Sequence, residues 1–365
     1  MPDQTKRVVS LDALRGFTIA AMIIVNYPGS ESNSYFTLKH TEWNGLSFTD
    51  QVAPYFLYFV GASIAFAYSK RLAAGIPRSD MYKKIFFRAL KIYAVGMFLN
   101  LMPEFDFHAI RWTGTLQRIA VVFFFSAILY LNTNWKQQAW IACGLLISYW
   151  LVLTCIPTPG AGKVMLEPGV NIVAWFDNKF LPGRMWRGTW DPESLLTTVT
   201  SVVSCITGML AGRLMLSDKD PGEKVNYLMT GGVFLAVIGY FWGLVFPVNE
   251  NLWTSSFVLV TSGFASLLFG AFYFLVDIKG RTWGTWPGIV FGANAIAVYF
   301  LADVWALFFY EAKFGGVSLN DRFVSGLSSA GADARLASLL YAVLFVGINF
   351  IPAWLLYRRK IFIKL

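Results

Sequence analysis

Ten stretches of the chain stay apolar for about 20 residues, the length a helix needs to cross a hydrocarbon layer roughly 30 Å thick. They fall at 8–27, 46–69, 82–102, 113–131, 137–155, 194–216, 226–246, 253–276, 286–309 and 335–357. Between them the connections are short and polar, except for three long ones at 28–45, 156–193 and 310–334. The alternation predicts an all-α, polytopic membrane protein with about ten transmembrane helices, folded as a single domain over 1–365. The first stretch carries Asp12 and Arg15 in its opening turns, and no small-x-small site follows it cleanly. It is therefore expected to remain in the membrane rather than be removed as a signal peptide. No convincing internal repeat is visible.

Composition agrees. Hydrophobic residues make up 56% of the chain and charged residues 14%, against about 25% charged in soluble domains. Disordered, collagen-like and ordinary soluble enzyme classes are excluded. Cys143, Cys155 and Cys205 lie in apolar stretches without a CxxC, which argues against a disulfide scaffold and gives no sign of a metal site. The net charge of +9 comes with no basic run interleaved with aromatics, so nucleic acid is not the expected partner. It has a better explanation in the distribution of the 30 Lys and Arg. With the N-terminus inside, 17 fall in cytoplasmic segments, Lys6 and Lys364 among them, and nine in outer ones. Both termini are then expected in the cytoplasm. The three long connections share the outer side, where a polar substrate would be handled.

Ionisable groups inside spans are expensive and point to function by default. Asp12 and Arg15 share a helix face at a spacing of three; they orient the helix as an ion pair, or Arg15 helps hold an anionic cofactor. Asn26 closes the same span near the face of Arg15. Gln117 and Arg118 lie near the outer end of their span, where Arg118 either snorkels or turns its planar fork inward. Lys83, Lys84, Arg88 and Lys91 open the third span, as a positive-inside signal or a phosphate-neutralising cluster. The most informative stretch is KHTEWNGL (39–46) running into SFTD. His40 stands immediately before a helix, with Glu42, Asn44 and Asp50 close by. An imidazole that a carboxylate orients can move a proton near pH 7; the alternative is a bystander at the membrane surface. His108 reads as a solvated loop residue.

SLDALRGFTIAAMIIVNYPG (10–29) followed by KHTEWNGLSFTDQVAPYFLYFVGASI (39–64) resembles the opening of the heparan-α-glucosaminide N-acetyltransferase family, lysosomal and bacterial. The likeness continues through TLQRIAV (115–121), PTPGAG (157–162), DPESLLTTVTSVVSCITGMLAGRLM (191–215), FPVNENLWTSSFVL (246–259) and VDIKGRTWGTWPGIVFGANAIAVY (276–299). The lysosomal form has a luminal domain and one further N-terminal helix, both expected to be missing here, which leaves a ten-helix transmembrane acyltransferase core. The resemblance implies transfer of acetyl from cytoplasmic acetyl-CoA, as co-substrate, to the amine of a terminal glucosamine across the membrane. The family's active His matches His40, its nearby Asn matches Asn26, and its Asp matches Asp50. In a broader group that O-acylates surface sugars, a His commonly follows the Arg of SLDALRG by eleven residues. Here that position is Asn26, which favours the N-acetylating branch.

On this reading His40 is the base in a ternary complex or carries the acetyl group itself. The ternary complex is the simpler expectation, because two substrates arriving from opposite sides can be bound together. Asn26 would donate to the developing oxyanion and Asp50 would orient the imidazole. Coenzyme contacts are expected from Arg15, Lys83, Lys84, Arg88, Gln117, Arg118, Lys279 and Arg281, and acceptor contacts from Trp43, Asn44, Trp190, Asp191 and Glu193. Trp43, Trp175, Trp186 and Trp190 would stack on a sugar ring or belong to an interfacial aromatic belt. The resemblance further implies an amino-sugar acceptor, a lipid environment in the bacterial inner membrane, a homodimer and no metal. The competing readings are a transporter of a sugar or lipid-linked saccharide, and an O-acyltransferase of surface polysaccharide.

Overall fold

The computed structural model describes residues 7–363; Lys6 and Lys364, counted above as cytoplasmic charges, lie outside them. In chain order the helices are α1 (Val9–Asn26), α2 (Phe48–Ala73), α3 (Arg78–Leu101), α4 (Thr115–Asn132), α5 (Trp135–Cys155), α6 (Ile172–Phe180) and α7 (Leu195–Met215). After these come α8 (Pro221–Gly243), α9 (Ser255–Phe272), α10 (Thr285–Ala293), α11 (Ala295–Ala306), α12 (Leu319–Ser329) and α13 (Ala334–Arg358). Two π-helical turns, Tyr273–Ile278 and Leu307–Glu311, extend α9 and α11. Every apolar stretch of the sequence is helical. Among the described residues eight helices are long and apolar enough to cross a membrane, and α10 with α11 make a ninth if the pair, bent by 84°, is one span. The remaining stretch became α3, whose 24 residues reach about 36 Å but carry Lys83, Lys84, Arg88 and Lys91. The protein is an all-α, polytopic membrane protein.

The chain folds as two compact units. One comprises Glu42–Gly45 and Pro54–Arg281 with the described residues before Asp12. In it α3 packs on α4, α8 on α9, and α7 lies against α4, α5 and α9. Lipid offers no hydrophobic drive for helix association, so close backbone approach takes its place. A Cβ on Gly61 of α2 would stand 1.9 Å from the Cys205 carbonyl oxygen of α7, and one on Gly208 would stand 1.8 Å from that of Tyr58. At one end of this unit, Tyr149, Leu153, Ile172, Val173, Phe246 and Leu252 form a buried cluster that fixes α6 and the segment before α9 over the end of α5. Side chains satisfy the buried helix starts there: Asn171 accepts from Ala174 N–H, Ser194 from Leu196 N–H and Thr254 from Phe257 N–H.

The other unit comprises Asp12–Thr41, Leu46–Ala53 and the described residues from Thr282 onward. Here α13 packs on α10, α11 and α12, and α1 crosses α10 where Gly16 meets the Gly288 carbonyl. Strands β1 (Lys313–Phe314) and β2 (Val317–Ser318) form a short antiparallel hairpin around Gly315 and Gly316, both at positive φ, as a two-residue hairpin turn requires. The break between α10 and α11 falls at Asn294, whose Nδ2–H donates to the Ile361 carbonyl at 3.0 Å while its Oδ1 accepts from Ile363 N–H at 2.7 Å. Arg15 Nη2 donates to the Gly292 carbonyl at 2.7 Å. Arg15 thus supplies a side-chain donor for a carbonyl that a continuous helix would have paired internally, and Asn294 ties the break to the segment after α13.

Candidate active site

Asp50 sits in the first turn of α2 and is 0% exposed, while the His40 side chain beside it is 52% exposed. Its position follows from how the helix begins. Ser47 Oγ accepts from Asp50 N–H at 3.3 Å, and Asp50 Oδ2 accepts from Ser47 N–H at 2.8 Å, a reciprocal cap of the S-x-x-[DE] kind. The Thr41 N–H lies 3.4 Å from both carboxylate oxygens. So held, Asp50 Oδ1 meets His40 Nδ1 at 2.8 Å. With Asp50 ionised its oxygen can only accept, so Nδ1 is the donor, and a neutral ring then has its lone pair on Nε2. That is the tautomer a general base needs.

Asn26 is the last residue of α1 and is exposed, with Nδ2 3.4 Å from Tyr299 Oη on α11. Beside it, Tyr27 Oη donates to Asp303, also on α11. At the other end of α1, Arg15 lies 3.8 Å from Asp12, in addition to its contact with Gly292. The expected ion pair is therefore present, but long.

The remaining candidates lie in the first unit. Arg111 grips Asp191 with two bonds, Nε to Oδ2 at 2.8 Å and Nη2 to Oδ1 at 2.7 Å, and reaches Glu193 Oε2 at 2.5 Å. Burial works against charge on Asp191, but the Arg111 fork and the Trp186 and Glu193 N–H groups outweigh it. The carboxyl is held well below the usual range. Asp191 and Glu193 thus tie the segment before α7 to the one before α4. Arg118 is buried and donates to the Pro192 carbonyl at 2.5 Å and to Thr197 Oγ1 at 2.6 Å, with its guanidinium 4.5 Å from the centre of the Trp253 ring. Gln117 is also buried, its Nε2 3.6 Å from Met97 Sδ and its amide filling the space beside Gly96 and Gly114. Trp43 meets Trp190 edge-on at 5.2 Å and donates from Nε1 to the Leu166 carbonyl at 3.0 Å. Asn44, exposed, accepts from Asn249 Nδ2 at 3.1 Å. Trp175 and Trp186 are exposed.

Lys83, Lys84 and Arg88 are exposed on the first half of α3, and Lys279 and Arg281 are exposed just after α9. Because α3 and α4 form a hairpin and α9 starts beside Arg118, Lys83, Lys84, Lys279 and Arg281 lie toward the end of this unit opposite the Arg111 cluster, with Arg88 a turn further in. Arg88 stacks 4.8 Å over Phe123 and Lys279 lies 5.3 Å over Phe274. Asp177, which sequence reasoning did not single out, is fully buried on α6. Its Oδ1 accepts from Ser194 Oγ at 2.9 Å and Leu195 N–H at 3.3 Å, and its Oδ2 is buried without a hydrogen-bond partner among the described residues.

Residues 7–166 match the sequence profile of a family described as heparan-alpha-glucosaminide N-acetyltransferase, catalytic. Over those residues the chain is similar to this family. The heparan-alpha-glucosaminide N-acetyltransferase of Homo sapiens is 27% identical over an alignment covering 98% of this chain, and that of Mus musculus is 25% identical over the same share. In each case the alignment covers 60% of the relative, so the chain spans well under two thirds of their length. The stretch matched to the heparan-alpha-glucosaminide N-acetyltransferase profile contains Asn26, His40 and Asp50, and ends before Asp177, Asp191, Glu193 and Asp303.

Proposed function

We propose that the protein is a transmembrane N-acetyltransferase. It moves acetyl from cytoplasmic acetyl-CoA to the amine of a glucosamine-type sugar on the opposite face of the membrane, with His40 as the general base. The observation that carries this reading is the 2.8 Å bond between His40 Nδ1 and a fully buried Asp50, within the stretch similar to this family. An amine that becomes an amide must lose a proton. His40 Nε2 takes it, Asp50 balances the imidazolium, and the proton then passes to the departing sulfur. Asn26 Nδ2–H is suited to donate to the oxygen on which negative charge builds. Acetyl-CoA supplies the acetyl group as a thioester. The cations that fit its phosphates are Lys83, Lys84, Arg88, Lys279 and Arg281, exposed at one end of the first unit. A bacterial plasma-membrane location and a homodimer belong to the same proposal, on the resemblance alone.

The test is acetyl transfer from labelled acetyl-CoA to glucosamine by the full chain in detergent. Wild type should form N-acetylglucosamine, and His40→Ala should lower the rate by roughly 10²–10⁴-fold. Absence of CoA release with every amino sugar tried would remove the proposal. Acetylated protein trapped without acceptor would instead make His40 the carrier of the acetyl group.

A further inference from the structure

A carboxyl group inside an apolar helix is expensive unless it is paired. Asp303 is such a group, in FLADVWAL of α11, and Tyr27, the residue after the end of α1, is its hydrogen-bond partner among the described residues. Tyr299 and Asp303 are four residues apart on α11 and so share a face; Tyr310, in the π-helical turn that follows, points to the same place. Tyr310 Oη donates to the carbonyls of Tyr27 and Pro28 at 2.7 and 3.1 Å, two backbone acceptors beyond the helix end. The Tyr27 ring packs against both Tyr310 and Phe345, with centroids 5.8 and 5.1 Å away, and those two rings touch each other at 5.8 Å. Residue 27 is therefore fixed by its phenol, its ring and its main chain at once. Its neighbour Asn26 projects from that anchored turn, with Tyr299 Oη 3.4 Å from its amide nitrogen.

We infer that Asp303 is a positioning residue that acts through Tyr27 to hold the Asn26 amide where the oxyanion forms. An aliphatic side chain would fill the same volume at less cost. What the carboxylate adds is a directed acceptor that selects one orientation of the Tyr27 phenol, and with it the end of α1. The inference rests on the proposed acetyl transfer for its catalytic meaning, but the anchor can be measured separately.

The experiment pairs steady-state kinetics with hydrogen exchange on the full chain in detergent, for Asp303→Ala, Asp303→Asn and Asn26→Ala, with Asp303→Ala also made in the Asn26→Ala background. Misplacing a catalytic group by about 1 Å can cost 10²-fold. Asp303→Ala should therefore lower kcat by roughly 10–100-fold and leave KM for acetyl-CoA within about threefold. Asp303→Asn keeps an acceptor for Tyr27 and should restore most of the rate. In the Asn26→Ala background the Asp303→Ala change should cost little more, because both act on one group. The amides of Val25, Asn26, Tyr27 and Gly29 should exchange at least tenfold faster in Asp303→Ala, while the middle of α1 is unchanged. Equal losses in both backgrounds, or unaltered exchange at 25–29, would overturn the inference. Faster exchange in a protein whose wild type transfers no acetyl would leave the anchor standing and remove the proposed function.

Discussion

Burial pushes the Asp177 carboxyl up to about 7, against the smaller opposing pull of the Ser194 and Leu195 hydrogen bonds. In the unfolded chain the group titrates near 4. The folded state holds the proton more tightly, so its contribution to stability is complete below about pH 4 and is lost as pH rises through about 7. Asp177→Asn keeps an Oδ1 acceptor for Ser194 and Leu195 and has no charge to bury. Thermal unfolding in detergent at pH 5, 6.5 and 8 should show the wild type falling with pH relative to Asp177→Asn, with the variant the more stable of the two at pH 8. Curves that stay parallel would show that Asp177 is ionised at no cost in the fold. Spacing along the chain does not reveal this residue, because it lies in a polar connection and its burial comes from α6 packing on the start of α7. His40 and Asp50 were more legible. They are close in sequence, and Ser47-x-x-Asp50 before an apolar run is itself a signal for a helix start. Asp191 and Glu193 show the opposite case. Both are bound by Arg111, 80 and 82 residues away, so their service to the fold is a tertiary fact.

The helices themselves were legible as apolar runs, because a bilayer demands about 20 such residues and little else produces them. The bend between α10 and α11 was not. GANAIAV contains no proline, and the break rests on Ile361, Ile363 and Arg15, which only the fold brings to Asn294 and Gly292. Close helix crossings are equally hidden, since glycines at crossings and glycines facing lipid look the same in sequence. Structure separates them. A methyl on Gly61 meets backbone at 1.9 Å, whereas one on Gly144 of α5 meets nothing within 4 Å. Gly61→Ala should therefore destabilise the protein by about 1–3 kcal/mol, lowering its thermal midpoint and the yield of monodisperse protein in detergent. Gly144→Ala should match wild type. Equal behaviour of the two variants would mean that α2 and α7 part easily, and that their contact adds little to assembly.

Across the whole molecule the proposed direction of acetyl transfer depends on sidedness. The distribution of Lys and Arg favours cytoplasmic termini, and the first unit gives the distribution a geometry. Lys83, Lys84, Arg88, Lys279 and Arg281 gather at one end, while the Arg111–Asp191–Glu193 cluster and Trp186 occupy the other. A polybasic end on the cytoplasmic side suits an anionic coenzyme; the same end outside would face none. Labelling settles the orientation. In a background with Cys143, Cys155 and Cys205 replaced, single cysteines at exposed positions, Lys84→Cys and Trp186→Cys, are treated with a membrane-impermeant maleimide in intact cells. Trp186→Cys should react directly and Lys84→Cys only after the membrane is permeabilised. The reverse pattern would put the cations proposed for the coenzyme phosphates on the wrong side of the barrier, where the proposed cytoplasmic donor could not reach them.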